Sequence, residues 1–241
     1  MNEYIRRWGT ASWRDVLRPI RDGIRRYFPE RTDPDETKER ERKRQADALK
    51  GFAYFESFEQ LKSWTPEDSD PLQRANTPLL PRSPIEQETG AKVLVCHDFN
   101  GGYHDYESAS ILGADEESFS CEYLQSLETF VYFSHRLVTI PPATWTNTLH
   151  RNGVKSLGTF IVERQTRGLE TILKFEEPDI SGKRTFPVAR KLAQMAEFFG
   201  FDGWLVNIET AFSRNHWDLE ALLQFLQDLQ HHLGPHGQLV W

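Results

Sequence analysis

The stretch PVARKLAQMAEFFGFDGWLVNIE, residues 187–209, reads as a helix, a tight stop and a strand, and that order decides the fold class. Val188, Leu192, Met195, Ala196 and Phe199 recur at helical spacing on one face, and Gly200 supplies the residue that most readily ends a helix in the left-handed conformation. In DGWLVNIE the two-residue period of a strand sets Trp204, Val206 and Ile208 on one face and Gly203, Leu205, Asn207 and Glu209 on the other. The first face is wholly apolar, as a helix-covered face must be. The second is small or apolar at its start and polar only at its end. Largely apolar strands that alternate with helices are the pattern of parallel βα units with both sheet faces covered.

The same texture extends in both directions. KVLVCHD (92–98), TFVYFSH (129–135), VKSLGTFIVE (154–163) and GQLVW (237–241) are further strand-like runs. Two more helices fall between them. PPATWTNTLHRNG has Pro142 early, Trp145 and Leu149 four apart and Gly153 as a stop, while WDLEALLQFLQDLQHHLG stacks Leu222, Phe225, Leu226, Leu229 and Leu233 before Gly234. GFAYFESFEQLKSW (51–64) opens with a short strand, and Ser57 then caps a helix using Leu61 and Trp64. The proline-rich segment 65–90 is expected as a loop laid over a surface. Residues 29–50 mix both charge signs so densely that they nearly cancel, which fits a solvated helix or linker. Residues 1–28 have loosely helical apolar spacing broken by Pro19. The expected organisation is therefore a charged, partly helical extension over 1–50 and an α/β domain over 51–241.

Composition narrows the partners. A formal charge of −7 argues against nucleic acid and anionic membranes, whose binding draws on surplus Lys and Arg, so a neutral ligand fits better. Sixteen Phe, seven Trp and seven Tyr point to a folded core. The two cysteines, Cys96 and Cys121, show neither a disulfide framework nor zinc-ligand spacing, and Cys96 is expected in the core. The N-terminus has no apolar signal segment, and Glu3, Asp15 and Asp22 interrupt what would be an acid-poor mitochondrial address. No run reaches the roughly 18 apolar residues a membrane helix needs. The expected location is the cytosol.

Chemistry is expected where the strands end, because ligands of parallel α/β folds bind at the carboxyl ends. Glu209 and Asn207 sit there, about 6–7 Å apart on one face. Glycoside hydrolysis usually needs two carboxylates about 5–10 Å apart. Asp202 cannot be the partner, since about 23 Å of extended strand separates it from Glu209. An amide is no nucleophile, but it donates and accepts hydrogen bonds. That suits substrate-assisted hydrolysis, in which a sugar's 2-acetamido oxygen attacks its own anomeric carbon. Glu209 would act as acid and then base, and Asn207 would orient the acetamide. His97 and Asp98 end one strand, and the glycines beside Tyr103 permit a turn that brings it toward the rim. His135 and Glu163 close two more strands. Tyr103 either contacts sugar or shapes its loop, and Glu163 either binds substrate or pairs with Arg164 or His135. A metal site built from His97, Asp98, His135 and Glu163 is disfavoured, because that set is not distinctive. No cofactor is expected.

DGWLVNIE, VLVCHDFNGGYHDYE (93–107), FVYFSHRLVTIPPATWTNTLHRNGVKSLGTFIVE (130–163) and FFGFDGW (198–204) together resemble the N-terminal half of the catalytic domain of the cytosolic endo-β-N-acetylglucosaminidases, glycoside hydrolase family 85. The resemblance runs from about Ala53, where AYFESFEQLKSW matches the family's entry segment, to Trp241, with gaps in the proline-rich loop and around 164–187. It implies a (β/α)8 TIM-type barrel, cleavage between the two core N-acetylglucosamines of N-glycans, a substrate-assisted retaining mechanism, Glu209 as acid/base and Asn207 as the acetamide-orienting amide. On that reading His97, Asp98, Tyr103, His135 and Glu163 are candidate substrate contacts. The family continues past a tryptophan like Trp241 into Tyr-Asp-Ser, later strands and C-terminal sandwich domains. A barrel reading therefore makes this chain a portion with about five of eight strands, expected to be poorly stable or weakly active alone. A non-catalytic glycan-binding protein with half of the fold, and an unrelated five-stranded α/β enzyme, are the alternatives.

Overall fold

The computed structural model describes residues 34–82, 91–99, 102–110, 121–163, 166, 168–177, 180, 184–209 and 218–241. The helical spacing expected over 1–28 and the Glu163–Arg164 pair lie outside them. The chain divides into two compact units, Met1–Lys43 and Arg44–Trp241. The charged run is helical over Pro34–Leu49 (α1), with Asp35 and Glu36 at its positive N-terminal end and Arg40 Nη2 bonded to Glu36 Oε1 at 2.6 Å.

In the second unit a short strand, Tyr54–Phe55 (β1), leads into the helix Phe58–Ser63 (α2). Ser57 caps it by accepting the Gln60 N–H at 3.3 Å. The remaining elements follow as Leu94–Asp98 (β2), Thr129–Phe133 (β3), Val138–Thr139 (β4), Ala143–Arg151 (α3), Lys155–Val162 (β5), Pro187–Phe199 (α4), Gly203–Ile208 (β6), Leu219–Leu233 (α5) and Gln238–Val240 (β7). All five strand-like runs and all three long helices read from the sequence are present. Strands β2, β3, β5, β6 and β7 are parallel neighbours in chain order. Among the described residues that order never doubles back, unlike the strand order of a doubly wound fold.

One element went unread. Val138 and Thr139 form β4, antiparallel to β5 and to β1, so the sheet is mixed. β3 pairs only Lys155, Ser156 and Leu157 of β5, and β4 takes over at Thr159 and Phe160. Gly158 sits at the hand-over. A Cβ there would meet the Thr139 carbonyl at 2.6 Å and the Trp204 ring at 3.0 Å, so the close approach of β4 requires glycine.

The largest core lies between the helices and β5–β6. Phe160, Val162, Trp204 and Val206 pack against Leu192, Met195 and Phe199 of α4 and Leu222, Phe225 and Leu229 of α5. Trp204 Nε1 donates to the Leu192 carbonyl at 3.0 Å, which satisfies the one polar atom of a fully buried indole. Gly200 ends α4 at φ +80, as its position implied. A second, aromatic core joins Phe99, Phe130 and Tyr132 to Leu149 and Val154, with Trp145 packed against it. Cys96 is a correction to the sequence reading: it is exposed, because β2 has little covering it on that face.

At the opposite end of the sheet the proline-rich segment is fastened by polar contacts. Asn147 Oδ1 accepts the N–H groups of Asn76 and Thr77, and Leu80 N donates to the His150 carbonyl. His150, on α3, is buried with Nδ1 at 2.6 Å from the Thr77 carbonyl and Nε2 at 2.9 Å from Asp202 Oδ2. Both partners only accept, so the ring satisfies both as an imidazolium. Burial alone would lower its pKa, but the bonds to Asp202 and Thr77 outweigh that and raise it. A folded-state pKa above the unfolded value of about 6.5 stabilises fully below that value and is lost as pH rises through the folded pKa. Denaturant unfolding of the wild type is therefore expected to lose stability relative to His150→Gln as pH is raised above about 6.5. A pH-independent difference between the two proteins would contradict this pairing.

Candidate active site

The β6 strand delivers its two polar residues as its alternation requires. Trp204 and Val206 are buried under α4 and α5, Asn207 is half-buried on the opposite face, and Glu209 is exposed just past the strand end. Asn207 Nδ2 donates to Glu209 Oε1 at 2.8 Å. The Glu209 N–H donates to the Val162 carbonyl at 2.9 Å, extending the β5–β6 ladder and fixing where the side chain leaves the sheet. The pair is therefore preorganised by backbone pairing and by its own hydrogen bond.

The register brings in a second carboxylate. Ile161 pairs with Asn207 and Val162 with Ile208, so the next residues, Glu163 and Glu209, leave adjacent strands about 4.8 Å apart. Glu163 Oε1 lies 2.8 Å from His135 Nδ1, and His135 Nε2 lies 3.2 Å from Asp98 Oδ2. One imidazole thus ties together residues at the ends of β2, β3 and β5. The Glu163 hydrogen bond, the largest influence, raises the His135 pKa despite partial desolvation, and Asp98 adds to the rise. Of the seven residues singled out in the sequence, Asn207, Glu209, Asp98, His135 and Glu163 are at the carboxyl ends of the parallel strands. Asp202 is at the other end, held by His150 and by the Ser156 N–H at 2.7 Å.

His97 and Tyr103 are placed differently. His97 packs on Phe99 at 4.2 Å between ring centroids and faces Phe130, on the aromatic core side of β2. Adjacent strand residues point to opposite faces, so His97 and Asp98 could not both face the same site. Tyr103 turns its hydroxyl to the backbone carbonyls of Ala53 at 2.5 Å and Ile140 at 2.7 Å, and its ring stacks on Phe52 and Tyr132. Burial pushes its pKa well above the ordinary phenol range. Of the two roles open to it, the loop-shaping hydrogen bond is the one its geometry displays.

Sequence reasoning missed Glu107. This buried carboxylate accepts from Trp145 Nε1 at 2.6 Å, from the Tyr132 hydroxyl at 2.9 Å and from the His104 N–H at 2.8 Å. Burial raises its pKa although all three donors work to lower it. It ties the 104–107 turn to β3 and α3, and nothing in the spacing of HDYE marks it out. Among the described residues no group of three or more His, Cys, Asp or Glu has a metal-holding arrangement, and no helix is long and apolar enough to cross a membrane.

Comparison with known proteins gives concordant results. Residues 103–241 match the family described as Glycosyl hydrolase family 85. A cytosolic endo-beta-N-acetylglucosaminidase of Mus musculus is 40% identical over 195 residues, covering 78% of this chain and 25% of that protein. Cytosolic endo-beta-N-acetylglucosaminidase 2 of Arabidopsis thaliana is 38% identical over 195 residues, covering 80% of this chain and 25% of its own length. The crystal structure of the glycoside hydrolase domain of Endo-D from Streptococcus pneumoniae superposes with a TM-score of 0.54 at 25% identity, over 78% of this chain and 30% of that one. The chain thus spans about a quarter of the length of the relatives it matches.

Proposed function

Because this chain belongs to glycosyl hydrolase family 85, we propose that it carries the catalytic pair of an endo-β-N-acetylglucosaminidase that cleaves the chitobiose core of N-glycans in the cytosol. The observation that carries the proposal is the Asn207–Glu209 hydrogen bond at the outlet of a parallel strand. The parallel strands in unbroken chain order, with α-helices described in the last three of their four crossovers, support a (β/α)8 barrel type, of which residues 51–241 form the N-terminal portion behind a charged extension.

On this reading the 2-acetamido oxygen attacks the anomeric carbon of its own sugar as the glycosidic C–O bond breaks. Glu209 gives its proton to the departing oxygen. Asn207 holds the acetamide in the attacking orientation and stabilises positive charge spreading onto the acetamide nitrogen of the oxazoline-like intermediate. Glu209, now a carboxylate, takes a proton from water as that water attacks the anomeric carbon and opens the ring. Two inversions leave the configuration retained. Asp98 and Glu163 lie at the same outlet as substrate-binding groups, with His135 bonded between them, and no step calls for a metal or cofactor. His97 and Tyr103 support the walls from behind.

The test is hydrolysis of a chitobiose-core glycopeptide by residues 1–241. Turnover that disappears in Glu209→Gln supports the proposal. Glycan binding without product, unaffected by Glu209→Gln, would instead establish a non-catalytic glycan-binding protein.

A further inference from the structure

His135 lies two residues beyond β3, yet both its nitrogens are engaged by side chains from other strands: Glu163 Oε1 at 2.8 Å and Asp98 Oδ2 at 3.2 Å. Carboxylate oxygens accept hydrogen bonds, so satisfying both requires a hydrogen on each ring nitrogen, which is the imidazolium form. The Phe133 ring meets the imidazole edge-on at 5.5 Å between centroids. The neighbouring cation, Arg136, is committed elsewhere: its guanidinium stacks on Tyr54 at 3.7 Å and bonds Glu56. On the β6 side the charged group is Glu209, which Asn207 holds. Among the described residues, His135 is therefore the cation set among Asp98, Glu163 and, one strand further, Glu209.

We infer that His135 is a positioning residue, an imidazolium clamp that fixes the Glu163 carboxylate beside Glu209 as a substrate contact, so that ligand affinity at this outlet falls when His135 loses its proton. The inference rests on the proposed function and refines it, since His135 acts through Glu163 rather than by touching sugar. The raised pKa of His135, caused first by Glu163, agrees with the geometry. Glu163 is anchored in turn, its N–H donating to Thr166 Oγ1 at 3.1 Å. An ion pair of this exposure adds little to stability. Its consequence is orientation: a long carboxylate at a strand exit is restricted to one geometry.

Two readouts on residues 1–241 test it. In proton NMR, the His135 ring, assigned by its loss in His135→Gln, should titrate above about 6.5, and Glu163→Gln should lower the midpoint. In calorimetric titration with the thiazoline analogue of a mannosyl-N-acetylglucosamine, wild-type affinity should fall about tenfold as pH rises through that midpoint. His135→Gln should bind about tenfold more weakly at low pH and lose that pH dependence, while His135→Lys restores part of the affinity. A midpoint unmoved by Glu163→Gln would overturn the clamp while leaving the hydrolase reading intact. Affinity unchanged in His135→Gln at every pH would overturn the role in binding. A wild type that shows the NMR coupling but binds no thiazoline at any pH would sink the parent reading instead.

Discussion

Glu209→Gln is expected to lower kcat on a chitobiose-core glycopeptide by about a thousandfold, the middle of the range for loss of a general acid/base. The substitution keeps the size of the side chain and a hydrogen-bonding oxygen for Asn207, so the pair can persist while the transferable proton is lost. KM should change little. The deficit should shrink with an aryl leaving group, whose departure needs no proton, because protonation is the task that Gln cannot perform. An equal deficit on both substrates would mean that leaving-group protonation is not the task lost in Glu209→Gln.

Asn207→Ala carries the second large expectation, a fall in kcat of about a hundredfold to a thousandfold, as when one donor to a developing charge is removed. On the proposed mechanism Asn207 touches the group that becomes the nucleophile, so its loss should act on the transition state more than on binding. The Ile161–Asn207 pairing lies in the β5–β6 ladder and uses only backbone groups, so the strand should survive. The two substitutions should not be additive, since Asn207 and Glu209 share a hydrogen bond and act in one step. A double variant only slightly worse than Glu209→Gln is the expected result of the kinetic cycle. Full additivity would show two independent contributions.

How much of this could be read in the sequence depended on whether local chemistry or long-range pairing fixed each feature. Ser57 and Gly200 behave as their residue types dictate, one offering a hydroxyl to a helix N-terminus and the other tolerating positive φ. The two faces of β6 followed from alternation alone. The same parity applied to β2 separates His97 from Asp98, and was available in the sequence but not used. Three features had no local signature. β4 is only two residues long and exists because β5 outruns β3, so its partner, not its own composition, makes it a strand. Cys96 looked like core because it stands in an apolar run, but burial is decided by what covers the strand. The meeting of Asp98, His135 and Glu163 joins residues up to 65 positions apart through sheet register, which no spacing rule encodes.

The central claim is that the substrate supplies its own nucleophile next to Glu209 and Asn207. Its most direct test is kcat/KM for a series of core substrates whose reacting 2-acetamido group carries zero to three fluorines. Each fluorine withdraws electrons from the attacking carbonyl oxygen while hardly changing its size. A steep, monotonic decline across the series, with KM little altered, is the predicted result. A flat series would contradict the account.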